Sequence, residues 1–213
     1  MSARAHADGL PKALTGGVLV LALLVLGLGG AVIAIKLRPQ PIPTDSVHRE
    51  IALWEAAVAK DPKSAVAHTG LGLAYANASQ TADAETEFEQ AIQLDHTSWM
   101  AALQLGVLVK DTDPQRAIDL FTAASKHAPD QERITPLIAL GDLQLRLGHA
   151  GAAAQAYRRS IAFNPFTFDA HYGLGRALEA QGDAKAALKE YLQAKRFDPS
   201  DPDVADAIAR VSG

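Results

Sequence analysis

Seven histidines, His6, His48, His68, His96, His127, His149 and His171, are the side chains of this chain best suited to metal binding or proton transfer. None stands in the His-Glu-x-x-His spacing that sets two imidazoles and a general base on one helix face. Glu85, Glu87 and Glu89 alternate through one segment. Converging carboxylates would suit a hard cation, but a solvated helix face is the better reading of this run. No Gly-rich phosphate loop and no Ser nucleophile elbow occurs. Cys is absent, which removes thiolate chemistry and disulfides together and fits an oxidising compartment. The sequence therefore implies no enzyme, no metal and no cofactor.

The elements that carry these residues repeat. One stretch reads His68, Leu71, Gly72, Tyr75, Ala84, Phe88, Ala91. A second reads Leu105, Gly106, Ala117, Phe121, Ala124, Pro129, and a third Leu140, Gly141, Ala153, Tyr157, Ser160, Pro165. A fourth reads His171, Leu174, Gly175, Ala187, Tyr191, Ala194, Pro199. Leu71 and Tyr75 are four apart and share one face of a first helix, A. Gly72 removes the side chain between A and a second helix, B. On B the small-large-small stripe of Ala84, Phe88 and Ala91 lets a ring fill the gap between small neighbours. Gly148 and Gly182 fall at A–B turns, where a positive φ is cheapest for Gly. Pro165 and Pro199 follow helix B, which they cannot extend. His68 and His171 hold equivalent places and read as packing residues. Phe163, Phe166 and Phe168 around Pro165 read as core between the last two units.

This pattern resembles the tetratricopeptide repeat, a helix-turn-helix unit of about 34 residues. The resemblance covers residues 46–212. It implies repeats over about 65–98, 99–131, 134–167 and 168–201, each unable to bury its stripe without neighbours. Ile51 to Pro62 reads as a lone helix B with Trp54 in the aromatic place, its flank left uncovered for a second subunit or the chain's own Pro-rich stretch. Residues 202–212 read as a lone helix A, started by Asp201 as cap and Pro202 at the first helical position. The second unit is one residue short near Asp111 to Pro114. About two extra residues, Asp130 to Arg133, precede the third, where a slight change of superhelix direction is expected. His96 replaces the usual Pro after the first unit.

Ahead of the repeats, Ala13 to Ile35 carries no charge. A helix of that length would cover the roughly 30 Å hydrocarbon core of a bilayer. The expected organisation is a tail (1–12), one transmembrane helix (13–35), a semi-rigid Pro-rich linker (36–45) and the repeats (46–212). A signal peptide cut near Ala31 is the alternative. The fold class is all-α: an N-terminal membrane helix, then an α-solenoid of half a repeat, four repeats and half a repeat. Basic residues flank the span almost evenly, with Arg4 and Lys12 before it and Lys36, Arg38 and Arg49 after it. A short basic tail before an early span favours repeats outside the cytoplasm, in a bacterial envelope.

The chain carries 20 basic and 24 acidic side chains. Setting aside Arg4, Asp8, Lys12, Lys36 and Arg38 leaves an excess of acid, which argues against nucleic acid or an anionic membrane surface as main partner. In this family helices A line a concave groove. By that resemblance Val66, Leu73, Met100, Leu103, Val107, Asp142, Arg146, Tyr172 and Arg176 are the candidate partner-binding residues, with Thr69, Thr135, Ile138 and Asp169 beside them. The groove reads as apolar at its amino end and polar at its carboxy end, which suits an extended or helical peptide with one apolar end. The Lys and Asn that grip a peptide carboxylate in one subset of the family are missing, Thr69, Leu73, Leu103 and Val107 standing there instead. The expected role is a membrane-tethered adaptor of an envelope assembly or secretion complex, with a protein or peptide client and possible homo-oligomers. The alternatives are a self-associating structural protein and a factor presenting apocytochrome for haem attachment.

Overall fold

Apolar residues spaced three and four apart dictate helices wherever the chain can bury one face. The computed structural model describes residues 46–213. The expected tail, membrane span and linker lie outside the described residues. Among the described residues ten α-helices follow one another: α1 Ser46–Lys60, α2 Ala65–Asn77, α3 Thr81–Leu94, α4 Trp99–Val109, α5 Pro114–His127, α6 Ile134–Arg146, α7 Ala150–Phe163, α8 Phe168–Ala180, α9 Ala184–Phe197 and α10 Pro202–Ser212. Each packs on its neighbours in sequence, and α2 also meets α4, as α6 meets α8. Helices α2, α4, α6 and α8 are the A helices and α3, α5, α7 and α9 the B helices. Helix α1 is a lone B and α10 a lone A. Among the described residues no helix is long and apolar enough to cross a membrane.

The core is a file of aromatic rings, each laid on bare glycine backbone. Phe88 covers Gly72, Phe121 covers Gly106, Tyr157 covers Gly141 and Tyr191 covers Gly175. A Cβ at any of these glycines would stand 2.5–2.7 Å from a ring carbon. Tyr157 is also held from the other side by Gly173, on the A helix of the next repeat. All four rings are fully buried among the small residues flanking them. Burial on this scale stabilises by about 2–3 kcal/mol per side chain. The ring thus joins its own A helix to the following repeat. Ser160 stands where the other B helices have Ala91, Ala124 and Ala194, and its buried hydroxyl has no hydrogen-bond partner.

The connections explain the irregular register. Three A–B turns close through a residue of positive φ: Ser79 at 61°, Gly148 at 80° and Gly182 at 83°. The second turn is one residue shorter and has none; its amides of Thr112 and Asp113 both bond to Val109 O. Asp113 then caps α5 by accepting from Arg116 N. Most B–A connections open on an Asx turn, in which Asp61, Asp95, Asn164 or Asp198 accepts from the amide two residues on. His96 is therefore accommodated without Pro, because Asp95 makes the turn. Ala128 has no such side chain. There the longer connection forms a 3-10 turn, Asp130–Glu132, and Arg133 Nε donates to Ala128 O at 2.9 Å.

His68 and His171 are buried, as packing residues should be, but each also staples three segments. His171 Nδ1 lies 2.8 Å from Glu190 Oε2 on α9, and its Nε2 lies 3.1 Å from Pro165 O in the preceding connection. His68 repeats this with Glu87 at 2.6 Å and Pro62 O at 3.1 Å. In the two inner repeats the same places hold Ala102 with Leu120 and Leu137 with Ala156. The polar pair becomes a small-large or large-small apolar pair, so volume is kept within each repeat. Glu85, Glu87 and Glu89 do not form a bare solvated face. Glu87 serves His68, and Glu85 and Glu89 both pair with Arg116 of α5. The helices converge these charges because residues one repeat apart stack on adjacent B helices.

Three outcomes follow for stability. Gly173→Ala forces a methyl into Tyr157 and should destabilise by about 1–3 kcal/mol, whereas Gly151→Ala on α7, with open space around it, should stabilise by about 0.5 kcal/mol; urea unfolding followed by circular dichroism measures both. Ser160→Ala removes a buried, unpaired hydroxyl and should raise the same unfolding free energy by about 1 kcal/mol.

Candidate functional site

Along the A helices the expected groove residues fall into triads: Val66, Thr69 and Leu73 on α2; Met100, Leu103 and Val107 on α4; Thr135, Ile138 and Asp142 on α6; Asp169, Tyr172 and Arg176 on α8. The first residue of each triad is exposed and the middle one recedes toward the neighbouring helix. Val66 is 75% exposed, and Met100 and Val107 are 40% exposed. Leu103, a middle residue, is only 7% exposed and belongs to the core. Its spacing matched the groove, but a middle position on one A helix lies against the next.

Hollows lie along this side, between successive A helices. The first, of about 430 Å³, is an apolar cleft between α2 and α4 walled by Trp54, Val66, Leu73, Trp99 and Met100, with Gly70 at its base. Gly70 makes room for Trp54: a Cβ there would stand 2.4 Å from the indole. Val66, Leu73 and Met100 are thus brought together around one cleft. The sequence pattern does not point to Trp99, which opens α4 outside the repeat motif, nor to Trp54 as part of a groove.

The second hollow, about 300 Å³, lies between α4 and α6 and is lined by Val107, Lys110, Asp142 and Arg146 among others. Its charges are partly committed. Arg146 pairs with Asp111 and donates to Lys110 O at 2.9 Å, tying the third repeat to the turn of the second. That guanidinium holds the Asp111 carboxyl below its usual range. Asp142 accepts from Tyr157 Oη at 2.7 Å. Burial, then the hydrogen bond to Asp142, pushes the Tyr157 hydroxyl far up, so it remains a donor.

Toward the carboxy end Arg176 lies over the Tyr172 ring, 5.8 Å from its centroid. Tyr172 stacks on Phe168 and tilts against Tyr191, and burial raises its hydroxyl. Glu179 receives Tyr191 Oη at 2.6 Å and Arg210 Nε at 2.5 Å. This end is polar, and Glu179 and Arg210 are held in a pair across α8 and α10. The Phe trio divides. Phe163 and Phe166 are exposed rather than core; the Asn164 turn lifts Phe166 out of the connection, where its ring meets Phe197 at a right angle. Among the described residues no group of three His, Asp or Glu side chains is placed to hold a metal ion.

Comparison with known proteins accords with this architecture. The sequence profile of the tetratricopeptide repeat family matches residues 51–98 and 138–202. The chain belongs to the tetratricopeptide repeat family. Superkiller protein 3 of Schizosaccharomyces pombe is 26% identical over 152 residues, 68% of this chain and 11% of that protein. The chain thus spans about a tenth of that relative's length. Among solved structures, YrrB, a tetratricopeptide protein "with an unusual peptide-binding site", superposes with a TM-score of 0.66 at 18% identity, over 74% of this chain and 81% of its own. MamA does so at 0.64 and 23%, over 74% and 97%. PilF of Pseudomonas aeruginosa does so at 0.64 and 17%, over 75% and 78%. These likenesses establish the fold.

The carboxy-terminal pairing carries a pH signature. Hydrogen bonding from Arg210 is the main cause holding the Glu179 carboxyl below its ordinary value of 4.5. A folded-state value below the unfolded one adds stability above the unfolded value and loses it as pH falls through the folded value. Wild type should therefore be more stable than Glu179→Gln at pH 7, and the gap should close below about pH 4.5; thermal unfolding of both across pH 3–7 measures it.

Proposed function

We propose that this protein is a membrane-tethered adaptor that holds a partner polypeptide along its A helices. The observation that carries the reading is the apolar cleft of Trp54, Val66, Leu73, Trp99 and Met100. A side chain seated there leaves water for a ready-made apolar wall, worth about 1.5–3 kcal/mol for a Leu- or Phe-sized group. The partner then runs toward Val107, Asp142 and Arg146, and on toward Tyr172 and Arg176. Asp142 and Arg176 offer one charge of each sign to its polar portion. Tetratricopeptide proteins bind protein or peptide partners, and YrrB, of the same fold, is described with a peptide-binding site. The uncharged run of 13–35 supports tethering to a membrane, and the basic tail before it supports repeats held outside the cytoplasm, as in an envelope assembly or secretion complex.

Trp54 and Trp99 are the only tryptophans in the chain, and both wall the cleft. Indole emission therefore reports on occupancy. Peptides selected against the full chain from a random display library should quench or blue-shift that emission as they bind. Val66→Asp with Met100→Asp should weaken them by at least about tenfold while helicity is retained. Selected peptides that bind without changing tryptophan emission, and equally well to the double variant, would place recognition elsewhere.

A further inference from the structure

Among the described residues, Asp95 is the one carboxylate lining the apolar cleft between α2 and α4, and no lysine or arginine lines it. Its Oδ1 accepts from Thr97 N at 2.9 Å and from Thr97 Oγ1 at 2.7 Å, while its Oδ2 takes no donor among the described residues. The bonds from Thr97 hold the carboxyl below its usual range. It is therefore a carboxylate at neutral pH, fixed by the turn and with one oxygen open. We infer that the polypeptide held in this cleft is basic there: an apolar side chain lies against the indoles, and an arginine or lysine beside it pairs with Asp95. This rests on the reading that the cleft takes a partner, and it names that partner's chemistry.

Three observations agree on the sign. The first is the wall itself. Trp54 and Trp99 both line the cleft, and an indole face attracts a cation as well as an apolar group. A long basic side chain can lay its stem along such a wall and keep its charged head at the rim. The second is the contrast with the hollow between α4 and α6. Lys110 and Arg146 line that hollow against one carboxylate, Asp142, so its balance of charge is the opposite. A basic residue is thus selected at the first cleft rather than along the whole groove. The third is the wider field. Residues 46–113 carry 4 basic and 10 acidic side chains, whereas residues 114–213 carry 12 of each. Even with Arg116, which pairs with Glu85 and Glu89, counted on the acidic side, the surplus stands. A cationic segment is drawn toward the half of the array that holds the cleft.

Asp95 also makes the turn that leads into α4, but that turn does not need its charge. Between α7 and α8 the same turn is made by Asn164, whose Oδ1 accepts from Phe166 N at 2.9 Å. Asp61 and Asp198 make it too, and neither lines the cleft. The charge at position 95 is therefore separable from the fold. Asp95→Asn keeps the turn's acceptor and removes only what would recognise a cation.

The test selects peptides from a random display library against the full chain and, separately, against Asp95→Asn of equal helicity. Peptides selected on the wild type that shift tryptophan emission should hold an arginine or lysine beside an apolar residue. Those selected on Asp95→Asn should lack that preference. In one such arginine peptide, citrulline then replaces the arginine, which keeps its shape and removes its charge. Binding to the wild type should weaken about fivefold, the size of one exposed ion pair, and binding to Asp95→Asn should not change. Peptides that shift the emission without a basic residue, or whose citrulline form loses equally on both proteins, would overturn the inference and leave the cleft as the partner site. Peptides that bind without moving the emission, or no binding peptides at all, as expected if a second copy or another segment of this chain fills the cleft, would overturn both.

Discussion

An aromatic ring lying on the bare backbone of a glycine is the contact on which the array depends. It fixes how closely helix B approaches helix A, because no side chain intervenes and the ring has no other place to go. Where a second glycine approaches from the next repeat, as Gly173 does over Tyr157, the same ring also sets the spacing between repeats. Each unit contacts only its neighbours, so a local spacing propagated four times becomes the architecture of the whole array.

Around that contact the repeats differ in how they close the seam between A and B. The outer two use a histidine clamped between a carboxylate and a backbone carbonyl. The inner two use Ala with Leu in one order and Leu with Ala in the other. A hydrogen-bonded clamp is directional and joins three segments at once, whereas the apolar pairs need only the right combined volume. In the outer repeats the clamp ties the A helix to the preceding connection as well as to helix B.

The groove follows from the same geometry. With helices A packed side by side, one position in each triad turns toward the next helix and leaves the surface, as Leu103 and Thr69 do. The positions that stay outward are apolar at α2 and α4 and polar at α6 and α8. The amino end is further apolar because Trp54 turns a flank of its ring into the cleft. At the carboxy end the charges are bound into pairs across repeats, Arg146 with Asp111 and Arg210 with Glu179. They hold neighbouring units together, and a ligand reaching them meets groups already fixed in direction.

Helix type, order and phase were legible in the residues alone. The ring and glycine places, the two half-repeats, the positive-φ turns at Gly148 and Gly182 and the cap at Asp201 all lie where spacing put them. These properties are local: side-chain volume, helical period and turn chemistry act over a few residues and recur every repeat. The acidic run on α3, the exposure of Phe166, the burial of Leu103 and the engagement of Arg146 were not legible. Each is decided by a side chain or backbone segment from elsewhere in the array; Arg116 is 31 residues from Glu85, and Arg146 is 35 from Asp111. The one long-range hint in the sequence was the equal 19-residue separation of His68 from Glu87 and His171 from Glu190. Period and volume determined which residues face inward; only the stacking of the repeats decided which charges meet and which apolar side chains remain in water, because both depend on what the neighbouring helix presents at that point.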